Sequence, residues 1–162
     1  MRTLEKERWA DQAEKWAEQH GLQVPITNDK LKLAVEKMGG TVLSHVGKGK
    51  TAICFLMEKE DGTFTLTMDD QHKDGTYAAM VQLMEHCFRQ SNPDAPLAKD
   101  DLAQRELYRY LAACVMMPKN KVYTVAVEHE TEHGNQFWEK TAAWFNVTPE
   151  LMYRRMDALG VA

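Results

Sequence analysis

The sequence predicts a single α+β domain, and three observations carry that expectation. Apolar residues recur at three- and four-residue spacing between residues 4 and 38. Between residues 41 and 68 that period gives way to short runs rich in β-branched and aromatic residues. From residue 77 onward the helical spacing returns. The expected order is two N-terminal helices, a small antiparallel-type sheet, then about five helices. A chain of 162 residues fits one domain. Within it, 1–135 is expected to form the core unit, and 136–162 a C-terminal helical hairpin packed on it.

The first helix is predicted over 4–20, with Leu4, Trp9, Ala13, Trp16 and Ala17 on one stripe and His20-Gly21 closing it. Both tryptophans read as core. Thr27 or Asn28 can cap a second helix over 29–38, carrying Leu31, Leu33, Ala34, Val35 and Met38 and ending at Gly39-Gly40. Strands are predicted at 41–43, 51–57 and 64–68, with Asp61-Gly62 as a hairpin turn. Gly47-Lys48-Gly49-Lys50 reads as the turn between the first two strands. It lacks the spacing of a phosphate loop and does not open a helix. A helix over 77–90 buries Met80, Leu83, Met84, Cys87 and Phe88 and turns Gln82, Glu85, His86 and Arg89 the other way. After the break at Asn92-Pro93, a helix over 100–117 carries Leu102, Leu107, Tyr110, Leu111, Cys114 and Val115 inward and stops at Pro118. Weaker signals give helices over 121–133, over 136–145 with Asn135 as cap, and over 149–159 with Thr148 as cap and Pro149 at the first position.

Composition narrows the functional class. Hydrophobic residues make up 44% and charged residues 27%, enough apolar content for a real core. The net charge of −4 and the absence of a Lys/Arg block argue against nucleic acid as the main partner. Cys54, Cys87 and Cys114 lie far apart in apolar surroundings and read as reduced thiols. No signal peptide or apolar run of transmembrane length is present in the sequence, so the expectation is a cytoplasmic protein without a membrane partner.

Two motifs invite a functional reading. His129-Glu130-Thr131-Glu132-His133 is a literal His-Glu-x-x-His. On a helix, two histidines at this spacing share a face and grip one metal, and the glutamate takes a proton from metal-bound water. Glu139 or Glu150 can supply a third ligand. Against this, 128–133 is an unbroken polar run followed by Gly134, which reads as a solvated helix end. Residues 136–159 have the outline of a helix-turn-helix, with Arg154 and Arg155 on the second helix. That helix starts Pro149-Glu150-Leu151, a poor base-reading start, and a packed helical hairpin is the competing reading.

Three stretches resemble the ImmA/IrrE-type metallopeptidase-like family. Residues 105–118, Arg-Glu-Leu-Tyr-Arg-Tyr-Leu-Ala-Ala-Cys-Val-Met-Met-Pro, are similar to its acidic-start helix that ends in Met-Pro. Residues 142–160, from Ala-Ala-Trp-Phe-Asn-Val-Thr-Pro to Asp-Ala-Leu-Gly, resemble its C-terminal phrase. The order of helix, helix, sheet and central helix also matches. The resemblance implies a zincin-like fold, with His-Glu-x-x-His on the helix after the sheet and an acidic third ligand on the Met-Pro helix. It also implies partners: some members are encoded on a prophage or other mobile element and cleave or inactivate a DNA-binding repressor.

The sequence departs from that pattern at the chemistry. The corresponding stretch is Gln82-Leu83-Met84-Glu85-His86, which keeps the second histidine alone. A glutamine amide is a poor zinc ligand, and Leu83 cannot accept a proton from water. Glu106 matches the acidic third ligand. Gln82, Glu85, His86 and Glu106 thus form the expected remnant pocket, with His86 and Glu106 as candidate metal ligands and His129 and His133 as the alternative pair. His72, in the polar loop before this helix, is a further candidate if the loop folds back; an exposed loop histidine is the plainer reading. No catalytic residue is assigned, and the cofactor expectation is none or zinc.

The leading expectation is a catalytically impaired ImmA/IrrE-like domain that acts through protein contacts, for instance on a mobile element's repressor. An active zinc peptidase with non-standard ligands, and a DNA-binding accessory module using 136–159, are the alternatives.

Overall fold

Two tryptophans on one helical face set the first packing layer. The computed structural model describes residues 3–47, 49–96 and 101–161. Residues 1–2 and 162 at the ends of the two expected units, Lys48 of the expected turn, and 97–100, with the expected helix start at 100, lie outside the described residues. Helix α1 (Thr3–Gln19) buries Trp9, Ala13, Trp16 and Ala17. Both indole rings meet Phe88 edge-on, at centroid distances of 6.4 and 6.1 Å. Leu4, expected on the same stripe, is 80% exposed, because the packed stripe begins one turn later at Trp9. Helix α2 (Asn28–Lys37) is capped by Thr27, whose hydroxyl accepts from the Lys30 N–H.

The sheet contains β1 (Gly40–Ser44), β2 (Cys54–Glu58) and β3 (Phe64–Met68), in the order β1-β3-β2. β2 and β3 form the expected hairpin, its turn held by Asp61 accepting from both the backbone and the hydroxyl of Thr63. β1, however, pairs parallel with β3, so the sheet is mixed and not antiparallel. The crossover from β1 to β2 is held by Asp69, which is buried just past β3. Its Oδ2 accepts from Gly47 N–H, and its own N–H donates to Ile53 O. The chain leaving β1 is therefore pegged across the end of β3 and enters β2 on the far side. Phe64, Leu66 and Met68 alternate inward along the central strand. On the opposite face Leu43, Phe55 and Met57 remain exposed.

Helix α3 (Gly75–Leu83) continues through a π-helical turn (Met84–Phe88) into a last short turn, α4 (Arg89–Ser91), with helical backbone angles at every junction. Gly75 is obligatory at the start: a Cβ there would lie 2.0 Å from the Asp69 carbonyl oxygen. Met80, Leu83, Met84 and Phe88 are fully buried, as the apolar spacing predicts.

Helix α5 (Asp101–Met116) packs against α1 and α3, burying Leu107, Leu111, Cys114 and Val115. Leu102, expected inward, is 64% exposed. Helix α6 (Lys119–Glu128) ends before the His-Glu-x-x-His run, five residues short of the predicted end at 133. Helix α7 (Asn135–Phe145) starts from Gly134 without a side-chain cap, so Asn135 is its first residue and not its cap. Helix α8 (Pro149–Ala158) is capped by Thr148, which accepts from Leu151 N–H. Asn146, between α7 and α8, donates to Ile26 O and Thr76 Oγ1, and Thr76 donates to Asn28 Oδ1. The C-terminal hairpin is thereby tied to the starts of α2 and α3. The architecture is α+β, with helices dominating a small mixed sheet.

Candidate functional site

The residues matching the family's zinc motif sit where the helical rod changes its winding. Two side chains four residues apart align on a helix of 3.6 residues per turn. Gln82 and His86 stand one turn apart along the same rod, and the π-helical turn at Met84–Phe88 begins between them. Gln82 faces a groove of about 550 Å³ shared with Cys54, Tyr77, Arg109 and Arg154. His86 faces a separate groove of about 350 Å³, with Glu58, Glu85 and Arg89.

Each position of the motif has another occupation. The Gln82 side-chain oxygen accepts from Leu56 N–H at 3.2 Å. Residues 53, 55, 57 and 59 pair with β3 or its flanks, so the backbone groups of Cys54, Leu56 and Glu58 point outward from the edge of the sheet. Gln82 thus satisfies the middle of an otherwise open edge. Leu83, at the place of a catalytic glutamate, is completely buried. His86 Nδ1 lies 3.5 Å from Glu58 Oε1. Burial pushes the Glu85 carboxyl up from its ordinary value, opposed by the charges of His86, Arg105 and Arg109. Glu106 is exposed on α5 and lines neither groove. No group of three or more His, Cys, Asp or Glu side chains able to hold a metal occurs among the described residues. This donor set does not fit a hydrolytic zinc site, which needs three protein ligands around one open position.

His72 is engaged in the turn before α3. Its Nδ1 accepts from Asp74 N–H at 3.0 Å, which leaves the proton on Nε2 to donate to Lys50 O at 2.9 Å. Both ring nitrogens are used, so the loop does not present His72 to His86. The literal motif at 129–133 is not helical: it forms the turns between α6 and α7. His129 Nδ1 lies 3.3 Å from the buried Thr141 hydroxyl, His133 is exposed, and Glu132 pairs with Lys140. The shared helical face that would let His129 and His133 grip one metal is absent.

The helix-turn-helix outline also loses its reading residue. Arg155 is 7% exposed, and its Nε donates to Met117 O at 2.9 Å. It locks α8 to the end of α5. Arg154 is exposed, on the rim of the larger groove.

That groove draws its walls from the loop before β2, from α3, from α5 and from the start of α8. Tyr77 donates from its hydroxyl to Arg109 O at 3.1 Å. Burial pushes the phenol up, and the charges of Arg109 and Arg154 pull against that shift. Lys50 adds a third cation, while Asp74 and Glu150 line the same groove. The sequence pattern puts Lys50 in a turn and Arg154 on the second helix of a helix-turn-helix outline or packed hairpin, and it does not single out Tyr77 or Arg109. No local pattern marks them, because only the tertiary fold brings four separate elements together. Neither a family model, nor a curated protein, nor a solved structure matches the chain.

Proposed function

We propose that this chain is a catalytically silent, metallopeptidase-like domain that acts by holding a protein segment. The observation that carries the reading is the Gln82–Leu56 hydrogen bond. It ties the first motif position to the edge strand, while the second, Leu83, belongs to the core. What is left beside that edge is a pair of grooves with outward backbone groups at Cys54 and Glu58, a surface suited to an extended chain. The resemblance to ImmA/IrrE-type proteins supports a protein partner, with a DNA-binding repressor of a mobile element as the kind it suggests. The burial of Arg155 disfavours the DNA-binding alternative. No helix among the described residues is long and apolar enough to cross a membrane.

The test is zinc stoichiometry after dialysis against zinc, together with cleavage of casein, for wild type and His86→Ala. The expected result is no stoichiometric zinc and no cleavage in either. Stoichiometric zinc with cleavage lost in His86→Ala overturns the proposal and restores the active-peptidase reading.

A further inference from the structure

The two grooves follow one rod and one strand. Tyr77, Ala78, Val81 and Gln82 line the larger, and Glu85, His86, Arg89 and Gln90 line the smaller. These are successive turns of the same helical axis, together about 20 Å long. Cys54 belongs to the larger groove and Glu58 to the smaller. Gln82 and Leu56, joined by their hydrogen bond, stand between them. An extended segment of about six residues covers the same length. A small anion would occupy one end and leave the rest of the trench empty.

The ends differ in charge. Lys50, Arg109 and Arg154 line the β2-entry end, against Asp74 and Glu150. Arg109 and Arg154 form no ion pair among the described residues. Arg109 and Arg154 reach the same groove from different helices, α5 and α8, and the Tyr77 hydroxyl between α3 and α5 donates to Arg109 O. The far end is lined by Glu58 and Glu85 together with His86 and Arg89. We infer that the trench takes an extended peptide segment carrying acidic side chains at one end, seated among Lys50, Arg109 and Arg154. This inference rests on the protein-holding reading above and names the chemistry of the segment held. A carboxylate there accepts charge-assisted hydrogen bonds from free guanidinium groups, and the strand edge at Cys54 offers backbone partners beside them.

The experiment titrates the full chain with two fluorescein-labelled heptapeptides of alternating valine and threonine. One carries two N-terminal glutamates, the other two glutamines. The acidic peptide is expected to bind about tenfold more tightly at low salt, with the advantage shrinking as salt rises. In an Arg109→Ala/Arg154→Ala variant the two peptides should bind alike, whereas Lys15→Ala, an exposed site on α1, should keep the difference. Far-ultraviolet circular dichroism checks that the variants are folded. Equal binding of both peptides to wild type overturns the charge inference and leaves protein holding intact. Binding of neither overturns both readings. Displacement of the acidic peptide by inorganic phosphate as effectively as by unlabelled peptide overturns the peptide assignment in favour of a general anion site.

Discussion

Gln82 on α3 accepts a hydrogen bond from the Leu56 N–H in the edge strand β2, at 3.2 Å. The bond answers two needs. It satisfies a backbone donor that the outer edge of a sheet leaves without a partner, and it joins α3 to the edge strand. Gln82→Ala removes the acceptor and is expected to cost about 1 kcal/mol in urea denaturation. Gln82→Glu keeps an acceptor oxygen and is expected to retain more of the stability. An unchanged midpoint in the alanine variant would remove the edge-capping role.

Arg155 is predicted to matter through the core and not through a ligand. Its Nε–H reaches Met117 O from inside the packed layer between α5 and α8. Its charge also lowers the Glu14 carboxyl, which burial otherwise pushes up. Arg155→Met keeps apolar bulk but leaves the carbonyl unpaired, and is expected to lose about 2 kcal/mol. Arg154→Ala, one residue earlier and exposed, is expected to leave stability within about 0.5 kcal/mol of wild type. Similar losses in both variants would contradict the buried role of Arg155.

The helices were legible wherever apolar spacing and a breaker coincided. Trp9 and Trp16 share a face at helical spacing, Thr148-Pro149 announces a start, and Pro118 a stop. The strands were legible as segments, but their pairing was not. The parallel join of β1 to β3 is accompanied by a long-range contact, the buried Asp69 carboxylate accepting from Gly47 N–H 22 residues back, and no local period reports that. The π turn was equally hidden, since Met84–Phe88 has the same apolar spacing as an α-helix. At the site, the sequence could say that Gln82 and Leu83 lack the chemistry of a zinc peptidase. It could not say that Gln82 serves the β2 edge, nor that Tyr77, Arg109 and Arg154 meet. Those facts arise from contacts between elements far apart in the chain.

Acid should weaken the fold through Asp70. Its carboxylate accepts from the Ser44 hydroxyl at 2.7 Å and from the Lys32 ammonium at 2.9 Å. The Ser44 bond first and the Lys32 bond second hold its folded pKa below the usual carboxylate value. A depressed folded value means the contribution is present above the unfolded pKa and is lost as pH falls through the folded one. Asp70→Asn is therefore expected to narrow its stability gap from wild type as pH drops below about 4. Glu85 has the opposite sign. Burial raises its folded pKa, so ionisation opposes folding, and Glu85→Gln should gain relative to wild type as pH rises from the ordinary carboxylate value through the raised folded one. Chemical denaturation at pH 3, 5 and 7 separates the two; a gap for Asp70→Asn that does not depend on pH would show that its pairs add nothing through charge.

The three thiols are free, and the native fold should keep them unreactive. Burial pushes both Cys54 and Cys87 up to about 12, with the Glu58 charge adding to the effect at Cys87. Cys114 is raised as well, chiefly by burial. The thiolate is the reacting species, and at pH 8 a group with such a pKa is ionised in only about one molecule in ten thousand. Cys54 lines the larger groove, so access alone would not protect it; its suppressed ionisation would. Ellman's reagent at pH 8 is expected to label the native chain far more slowly than a free thiol, and to count all three cysteines promptly in guanidinium chloride. Cys54→Ser should leave the slow native rate unchanged. A fast native phase lost in Cys54→Ser would show that the groove holds a reactive thiol, and would turn a binding surface into a place to look for covalent chemistry.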